Sequence, residues 1–400
     1  MHQANLRSIR LAIRKFKRLL EFLVYGWFDS LVLVTAPKAM GKKSGAAVVR
    51  LNLLGDFFLW LPYGVALIRH LRDQNQRIVL VCNQAWADLA LRHFPDVEVF
   101  AIDRGRVVKE WRYRARTLRN LRRLGIAATH HPTCPRDFLV EDTTVRALGA
   151  PAAGFDAVFP DRLWIDRVFY DRYYRILVPP LTHAHQTAQN HAYLRHVSVP
   201  ESHLAKLPHP RGKLDDKLRG DAYYVIAPGA SRKERRWPVE RFAELAQRIR
   251  ESHPRMHCMV VGTMGERALG DHIVDGLEGQ GRNLAGQTSL MELIDWIGQA
   301  RFVVGNDSAA AHIAAAQGVP SVAVIGGGHF GRCFPYDPTE ARVERLPVSV
   351  FHPMECYGCD WICRYPTRPN GCFPCVDAVT VDKVWQAVQA LPLAEPRAAG

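Results

Sequence analysis

The chain has 400 residues, 48% of them apolar, with 53 Lys and Arg against 39 Asp and Glu and a net charge of +14. This is a globular composition, long enough for two ordinary domains with substantial cores, and it excludes a disordered chain. The basic excess points to a polyanionic partner, whether nucleic acid, anionic lipid headgroups or phosphorylated substrates.

Residues 6–24 read LRSIRLAIRKFKRLLEFLV. Leu6, Ile9, Ile13, Phe16, Leu20 and Leu23 recur at spacings of three and four and share one helical face, opposite Arg7, Arg10, Arg14, Lys17 and Arg18. The charges leave no uncharged apolar core for a secretory signal. Glu21, Gly26 and Asp29 interrupt the apolar stretch over 19–34, so no spanning helix is expected. Residues 1–40 therefore read as a basic amphipathic segment that lies on an anionic membrane surface, or else packs on a domain with its basic side in water.

A buried strand is expected over 46–53, then a tight Gly55-Asp56 turn and a helix; further strands come at 77–83 and 97–103, and a strongly basic helix at 109–124. Apolar strands alternating with helices indicate a parallel sheet covered on both faces. The stretch 150–222 is less regular, with helices expected at RVFYDRYYRILV and AQNHAYLRHV. Residues 198–221, rich in Pro and charge, read as a linker between a first domain at 41–197 and a second at 222–350.

From 222 the pattern restarts. A strand and its loop are expected over 222–231 and strands at 256–263, 301–305 and 321–326, with a helix from Pro238, one at 265–277, and one opened by a Ser289/Glu292 capping box. The segment VVGNDSAAAHIAAAQGVPSVAVIG places Asn306, Asp307 and Ser308 where a strand ends and a helix begins. Asp307 or Ser308 suits a helix cap. The free N–H groups there also suit a phosphate, and His312 lies one turn on, on the same side.

The nine cysteines are unevenly spread, with Cys356, Cys359, Cys363, Cys372 and Cys375 crowded into a segment at 351–400 that ends in a helix. An odd count in so long a chain does not suit a disulfide framework and reads as a reducing cytoplasm. Cys356, Cys359, Cys372 and Cys375 form two C-x-x-C pairs with the spacing to close a tetrahedral Zn or Fe site, leaving Cys363 as a spare or exchangeable ligand.

Three segments, in order, resemble the family 9 glycosyltransferases, the ADP-heptose:lipopolysaccharide heptosyltransferases: VVRLNLLGDFFLWLP, APGASRKERRWPVERFAELAQRI and GNDSAAAHIAAAQGVPSVAVIG. The last matches the family pattern at Gly305, Asp307, Ser308 and His312 and departs from it at Ala309, where the family usually has Gly. The resemblance spans residues 46–330. It implies an α/β chain of GT-B architecture, with two Rossmann-like doubly wound domains facing across a cleft, the first binding the acceptor and the second the nucleotide sugar.

It further implies an inverting transfer with Asp56 as the base, and a donor diphosphate held by Ser231, Arg235, Asp307, Ser308, Ala309 and His312. Arg235 stands where the family has a phosphate-binding lysine, which leaves Lys233 as a competing candidate. Gly262 and Glu266 match the ribose-binding position, and Gln287 and Thr288 the adenine edge. No organic cofactor is expected beyond the ADP-heptose donor. A branch of the family that modifies autotransporter proteins carries a cysteine-bound iron in the corresponding segment, with different spacing. The expected acceptor is lipopolysaccharide or its lipid A-core, at the cytoplasmic surface of the inner membrane; a protein or another surface polysaccharide is the alternative. A non-catalytic nucleic-acid-binding protein is the rival of another class. Against it, aromatics do not interleave with the basic runs and no helix-turn-helix or zinc-finger spacing is present, so no nucleic acid is expected.

Overall fold

Five apolar runs, at β1 (Ala46–Arg50), β2 (Ile78–Asn83), β7 (Tyr223–Ala227), β10 (Val303–Asn306) and β11 (Ser321–Val324), are buried at every position, as central strands of a doubly covered sheet must be. The computed structural model describes residues 2–37, 41–156, 164–205, 222–343 and 345–392, with the backbone alone at 2–11, 14 and 166. Most of the 198–221 segment lies outside the described residues. The chain divides into two units, Met1–Ala205 and Lys206–Gly400.

The first unit is a six-stranded parallel sheet completed by β3 (Glu98–Ile102), β4 (Ala128–His131), β5 (Ala152–Phe155) and β6 (Tyr174–Val178), in the order β3-β2-β1-β4-β5-β6. The second adds β8 (His257–Val260), β9 (Gly281–Asn283) and β12 (Val348–Val350) and runs β12-β11-β10-β7-β8-β9, again all parallel. Both are the doubly wound Rossmann order of the GT-B fold class. In each, strand order reverses at one place, between β1 and β4 and between β7 and β10, where such sheets open a crevice at their carboxyl ends.

Several sequence expectations change. RVFYDRYYRILV is not one helix: the helix Trp164–Asp171 stops and β6 succeeds it, because the sheet edge recruits Tyr174–Val178. The helix expected at 109–124 is Trp111–Arg123; Lys109 ends a separate helix, Arg104–Lys109, and Glu110, with extended backbone, divides the two. Gly55 and Asp56 do not form a turn. They lie in the first turn of the helix Leu54–Asp73, and β1 ends at Arg50.

The N-terminal helix runs His2–Val34, longer than its basic stretch. Val32 and Leu33 enter the core of the first unit, and Phe22 packs on Phe138 and Tyr170. Trp111 stacks on Tyr25 at 4.8 Å and meets Phe28 at 4.7 Å. Arg114, fully buried, grips buried Asp29 with two hydrogen bonds of 2.6 and 2.5 Å. The Trp111–Arg123 helix thus spends part of its basic side on the N-terminal helix rather than on a ligand. Among the described residues, no helix is long and apolar enough to cross a membrane.

Candidate functional site

In the second unit the loops after β7 and β10, neighbours at the strand-order reversal, are fastened by Asn306. Its side chain is fully buried. The Asn306 Oδ1 accepts from the Trp237 N–H at 2.9 Å, and its Nδ2 donates to the Pro228 carbonyl at 2.7 Å and the Gly229 carbonyl at 3.3 Å. One amide therefore ties both ends of the PGASRKERRW loop to the strand that ends in Asn306.

The next residue makes the polar contact. Arg235, closing a short 3₁₀ turn Lys233–Arg235, donates from Nη2 to Asp307 Oδ2 at 2.7 Å and from Nη1 to Ser231 Oγ at 3.1 Å. The third guanidinium nitrogen, Arg235 Nε, is buried with no hydrogen-bond partner among the described residues. A buried N–H without an acceptor is costly unless something fills the position. Lys233 is exposed. Arg236 turns away, donating to the Ala230 carbonyl at 3.2 Å and lying 3.4 Å from Glu266 Oε1.

Ser308 is the N-cap residue of the eight-residue helix Ala309–Ala316, yet its side chain makes no capping hydrogen bond, so capping does not explain the polar patch. Ala309, half-buried, begins the helix. His312 is not open to a ligand in the expected manner. It is 4% exposed, stacked on Phe334 at 4.5 Å, and shares a 2.6 Å hydrogen bond between Nδ1 and the Tyr336 hydroxyl. Burial, aided by Cys333 and Asp307, pushes the Tyr336 phenol far up, so it stays protonated.

Gly262 meets the loop that carries Gln287 and Thr288: the Gly286 N–H donates to the Gly262 carbonyl at 2.9 Å. Glu266 Oε2 accepts from the Thr263 N–H and hydroxyl in a capping box. A Cβ at Gly229 would stand 2.1 Å from Glu266 Oε1, which is why glycine follows Pro228. Gln287 is exposed and its amide donates to the Asn283 carbonyl at 3.1 Å; Thr288 is half-buried.

The sequence reading overlooked the loop after β11, GGGHFGRC at 326–333. Its His329 lies near Arg235 and Arg332; burial first, then those two charges, push the imidazole down to about 3, so it is neutral at ordinary pH. Three consecutive glycines carry the only sequence signal for this close approach.

In the first unit, Asp56 is half-buried beside the β1/β4 reversal. Buried Arg50 donates to the Asp56 carbonyl at 3.1 Å and to the Pro132 carbonyl at 2.6 Å, and its guanidinium sits 5.6 Å from the Trp60 ring. Arg50 thus fixes the first helical turn against the loop after β4. In the sequence it reads only as a residue of a strand.

The cysteine segment differs from expectation. Cys356, Cys359, Cys363 and Cys375 line one small cavity with Trp361, Tyr365 and Phe373, so Cys363, not Cys372, joins the group. The Cys372 Sγ instead donates to the Arg236 carbonyl at 2.8 Å, and burial pushes that thiol up to about 12. Burial also raises Cys359 and Cys375. Among the described residues no three His, Cys, Asp or Glu side chains are gathered so as to hold a metal ion. The Zn or Fe site expected at Cys356, Cys359, Cys372 and Cys375 does not fit this arrangement.

The sequence pattern described as glycosyltransferase family 9 (heptosyltransferase) matches residues 184–346. Lipopolysaccharide heptosyltransferase 2 of Salmonella typhimurium is 35% identical over 97 residues, 23% of this chain and 27% of that protein, so the alignment spans about a quarter of the relative's length. A family 9 glycosyltransferase structure from Veillonella parvula superposes with a TM-score of 0.61 at 17% identity, covering 88% of this chain and 98% of that one. The ADP-heptose lipopolysaccharide heptosyltransferase II structure from E. coli does so at 0.58 and 18%, covering 86% and 98%. The two structures share the fold. Residues 184–346 thus carry the sequence pattern of glycosyltransferase family 9, the heptosyltransferases, on a fold like that of the two solved structures.

Proposed function

We propose that this protein is an inverting glycosyltransferase that moves heptose from ADP-heptose onto a lipopolysaccharide core acceptor. The observation that carries the reading is Arg235, held by Asp307 and Ser231 at the carboxyl ends of β7 and β10 with its buried Nε unpartnered among the described residues. As the glycosidic bond to the donor breaks, negative charge grows on the diphosphate. Arg235 and the uncapped first N–H groups of the Ala309–Ala316 helix supply preorganised donors to it. Ser308 and Ala309 begin that helix, so their backbone lies against the phosphates. Asp307 orients Arg235. Gly262, Glu266, Gln287 and Thr288 border the nucleoside end.

Asp56 takes the proton from the attacking acceptor hydroxyl. Arg50 fixes the turn that carries it.

The N-terminal helix supports work at an anionic bilayer, the cytoplasmic face of the inner membrane in a cell that makes lipopolysaccharide. Ile13, Phe16, Leu20, Leu23, Trp27 and Leu31 repeat at three- and four-residue spacing and are exposed, from 47% at Leu20 to 71% at Trp27. Exposed Lys17 lies beside this stripe. An apolar stripe with a cation at its edge suits the headgroup boundary.

Calorimetry with ADP tests the donor site. Arg235→Ala is expected to weaken binding by about 1–3 kcal/mol, the value of a charge-assisted hydrogen bond. Unchanged affinity would remove the assignment. Sedimentation with anionic vesicles tests the membrane reading. The triple variant Phe16→Glu, Leu23→Glu, Trp27→Glu leaves the buried anchors Phe22, Val32 and Leu33 in place. It is expected to abolish sedimentation, and a folded triple variant that still sediments contradicts the membrane reading.

A further inference from the structure

The cysteine segment reads in the sequence as an appendage to the second domain. In the structure its Trp361 lies under the donor-site arginine. The Arg235 guanidinium carbon is 4.4 Å from the Trp361 ring centroid, and Phe373 stacks on the same indole at 5.6 Å and 22°. Trp361 is 8% exposed.

The surrounding chain is shaped to keep this ring in place. Asp360 and Trp361 both adopt left-handed backbone, with φ of 49° and 59°. Two such non-glycine residues in succession are strained and persist only where their surroundings hold them. The Asp360 N–H donates to the Gly328 carbonyl at 3.0 Å and the Gly358 N–H to the Gly327 carbonyl at 2.8 Å. A Cβ at Gly326 would meet Trp361 Cη2 at 2.8 Å, and one at Gly328 would meet Cδ2 at 2.2 Å. The glycines after β11 thus make room for the indole.

We propose that Trp361 is a positioning residue of the donor-phosphate site, its ring face a platform that holds Arg235 in one rotamer before the ligand arrives. This rests on the reading of Arg235 as a diphosphate ligand. An arginine side chain loses much rotamer freedom when it is ordered. A platform that removes that freedom in advance improves affinity without touching the ligand. An indole face attracts a guanidinium more strongly than a phenyl face does, and an aliphatic chain has no such face. The cysteine segment thereby belongs to the donor site without chemistry of its own: its thiols pack the loop that presents Trp361.

The test is ADP affinity by calorimetry on the full chain, for Trp361→Leu, Trp361→Phe, Arg235→Ala and the double variant Trp361→Leu/Arg235→Ala, with near-ultraviolet circular dichroism as the fold control. Trp361→Leu is expected to weaken ADP roughly three- to thirtyfold and Trp361→Phe about two- to threefold, the range of a cation–π contact. In the Arg235→Ala background the Leu change should add less than about twofold, because a residue acting through Arg235 has nothing left to position. Should the Leu variant fail to fold, the Phe variant carries the same cycle: a loss with Arg235 present and none without it. Wild-type affinity in the Trp361 variants while Arg235→Ala binds weakly overturns the inference and leaves the donor site standing. Equal losses in both backgrounds also overturn it. No effect from Arg235→Ala itself is the separate failure of the donor-site reading.

Discussion

Arg235 donates to Asp307 at 2.7 Å, joining two residues 72 positions apart. The contact exists because β7 and β10 are neighbours at the place where strand order reverses, so the loops after them leave the sheet side by side. The guanidinium fork reaches Ser231 with one nitrogen and Asp307 with another and rests on Trp361. An ammonium group cannot repeat that geometry. Arg235→Lys, which places the family's usual residue at this position, is therefore expected to weaken ADP by roughly three- to tenfold in calorimetry, although the charge is kept. Equal or tighter binding contradicts the role of the fitted fork.

Asn306 holds the same loop by three hydrogen bonds to buried backbone. Asn306→Ala leaves the Trp237 N–H and the Pro228 carbonyl unpaired. The expected loss is about 2–4 kcal/mol of unfolding free energy in urea titration, the cost of stranding two or three buried polar groups. A loss below about 1 kcal/mol would mean that water replaces the amide.

The Asp29–Arg114 pair ties the N-terminal helix to the first unit. Arg114→Met strands a buried carboxylate and is expected to cost about 3–5 kcal/mol. Asp29→Leu combined with Arg114→Met should recover most of that loss, since an apolar pair of similar volume avoids desolvating two charges. Thermal unfolding of the single and double variants reads both effects. A double variant less stable than the single one contradicts the expectation.

Burial, with a smaller push from His70, lowers His130 from 6.5 to about 4. The unfolded chain then binds that proton more tightly than the folded one. The stabilisation is complete above pH 6.5 and is lost as the pH falls through about 4. His130→Asn keeps a partner for the Tyr193 hydroxyl, which lies 3.1 Å from Nδ1 in the native chain. It should flatten the fall in melting temperature between pH 6.5 and 4. Neutral His329, lowered to about 3 by burial and by Arg332 and Arg235, leaves part of the slope in place. Identical slopes in the variant and the native chain would exclude His130 as a source.

The doubly wound architecture was legible because central strands are uniformly apolar and their periodicity is plain. Short edge strands were not: Gly281–Asn283 and Val348–Val350 are three residues each, and β6 carries three exposed positions, so no burial pattern marks them. Within the proposed donor site, Ser231, Arg235, Asp307 and Ser308 could be named from two of the three ordered segments. Their partners could not. Asn306, Trp361 and Arg50 act through contacts made across long stretches of sequence, which spacing does not encode. His312 was placed by helical periodicity on the ligand side; the Phe334–Tyr336 segment, which covers it, comes from a loop with no periodic signal. The cysteine spacing suggested Cys372 as a ligand, but a C-x-x-C pair does not reveal that one thiol is turned to a backbone carbonyl.

Transfer of heptose from ADP-heptose, with the donor held at Arg235 and Asp56 as the base, can be read directly by mass spectrometry. The sample is a heptose-deficient lipopolysaccharide core after incubation with the protein and ADP-heptose. The acceptor is expected to become heavier by one heptosyl unit, with release of ADP. In Asp56→Asn turnover should fall about a hundredfold or more, the scale of a lost general base, with ADP affinity retained. No mass gain and no ADP release from the folded native protein would contradict the proposed transfer, and near-native turnover in Asp56→Asn would contradict the part assigned to that carboxylate.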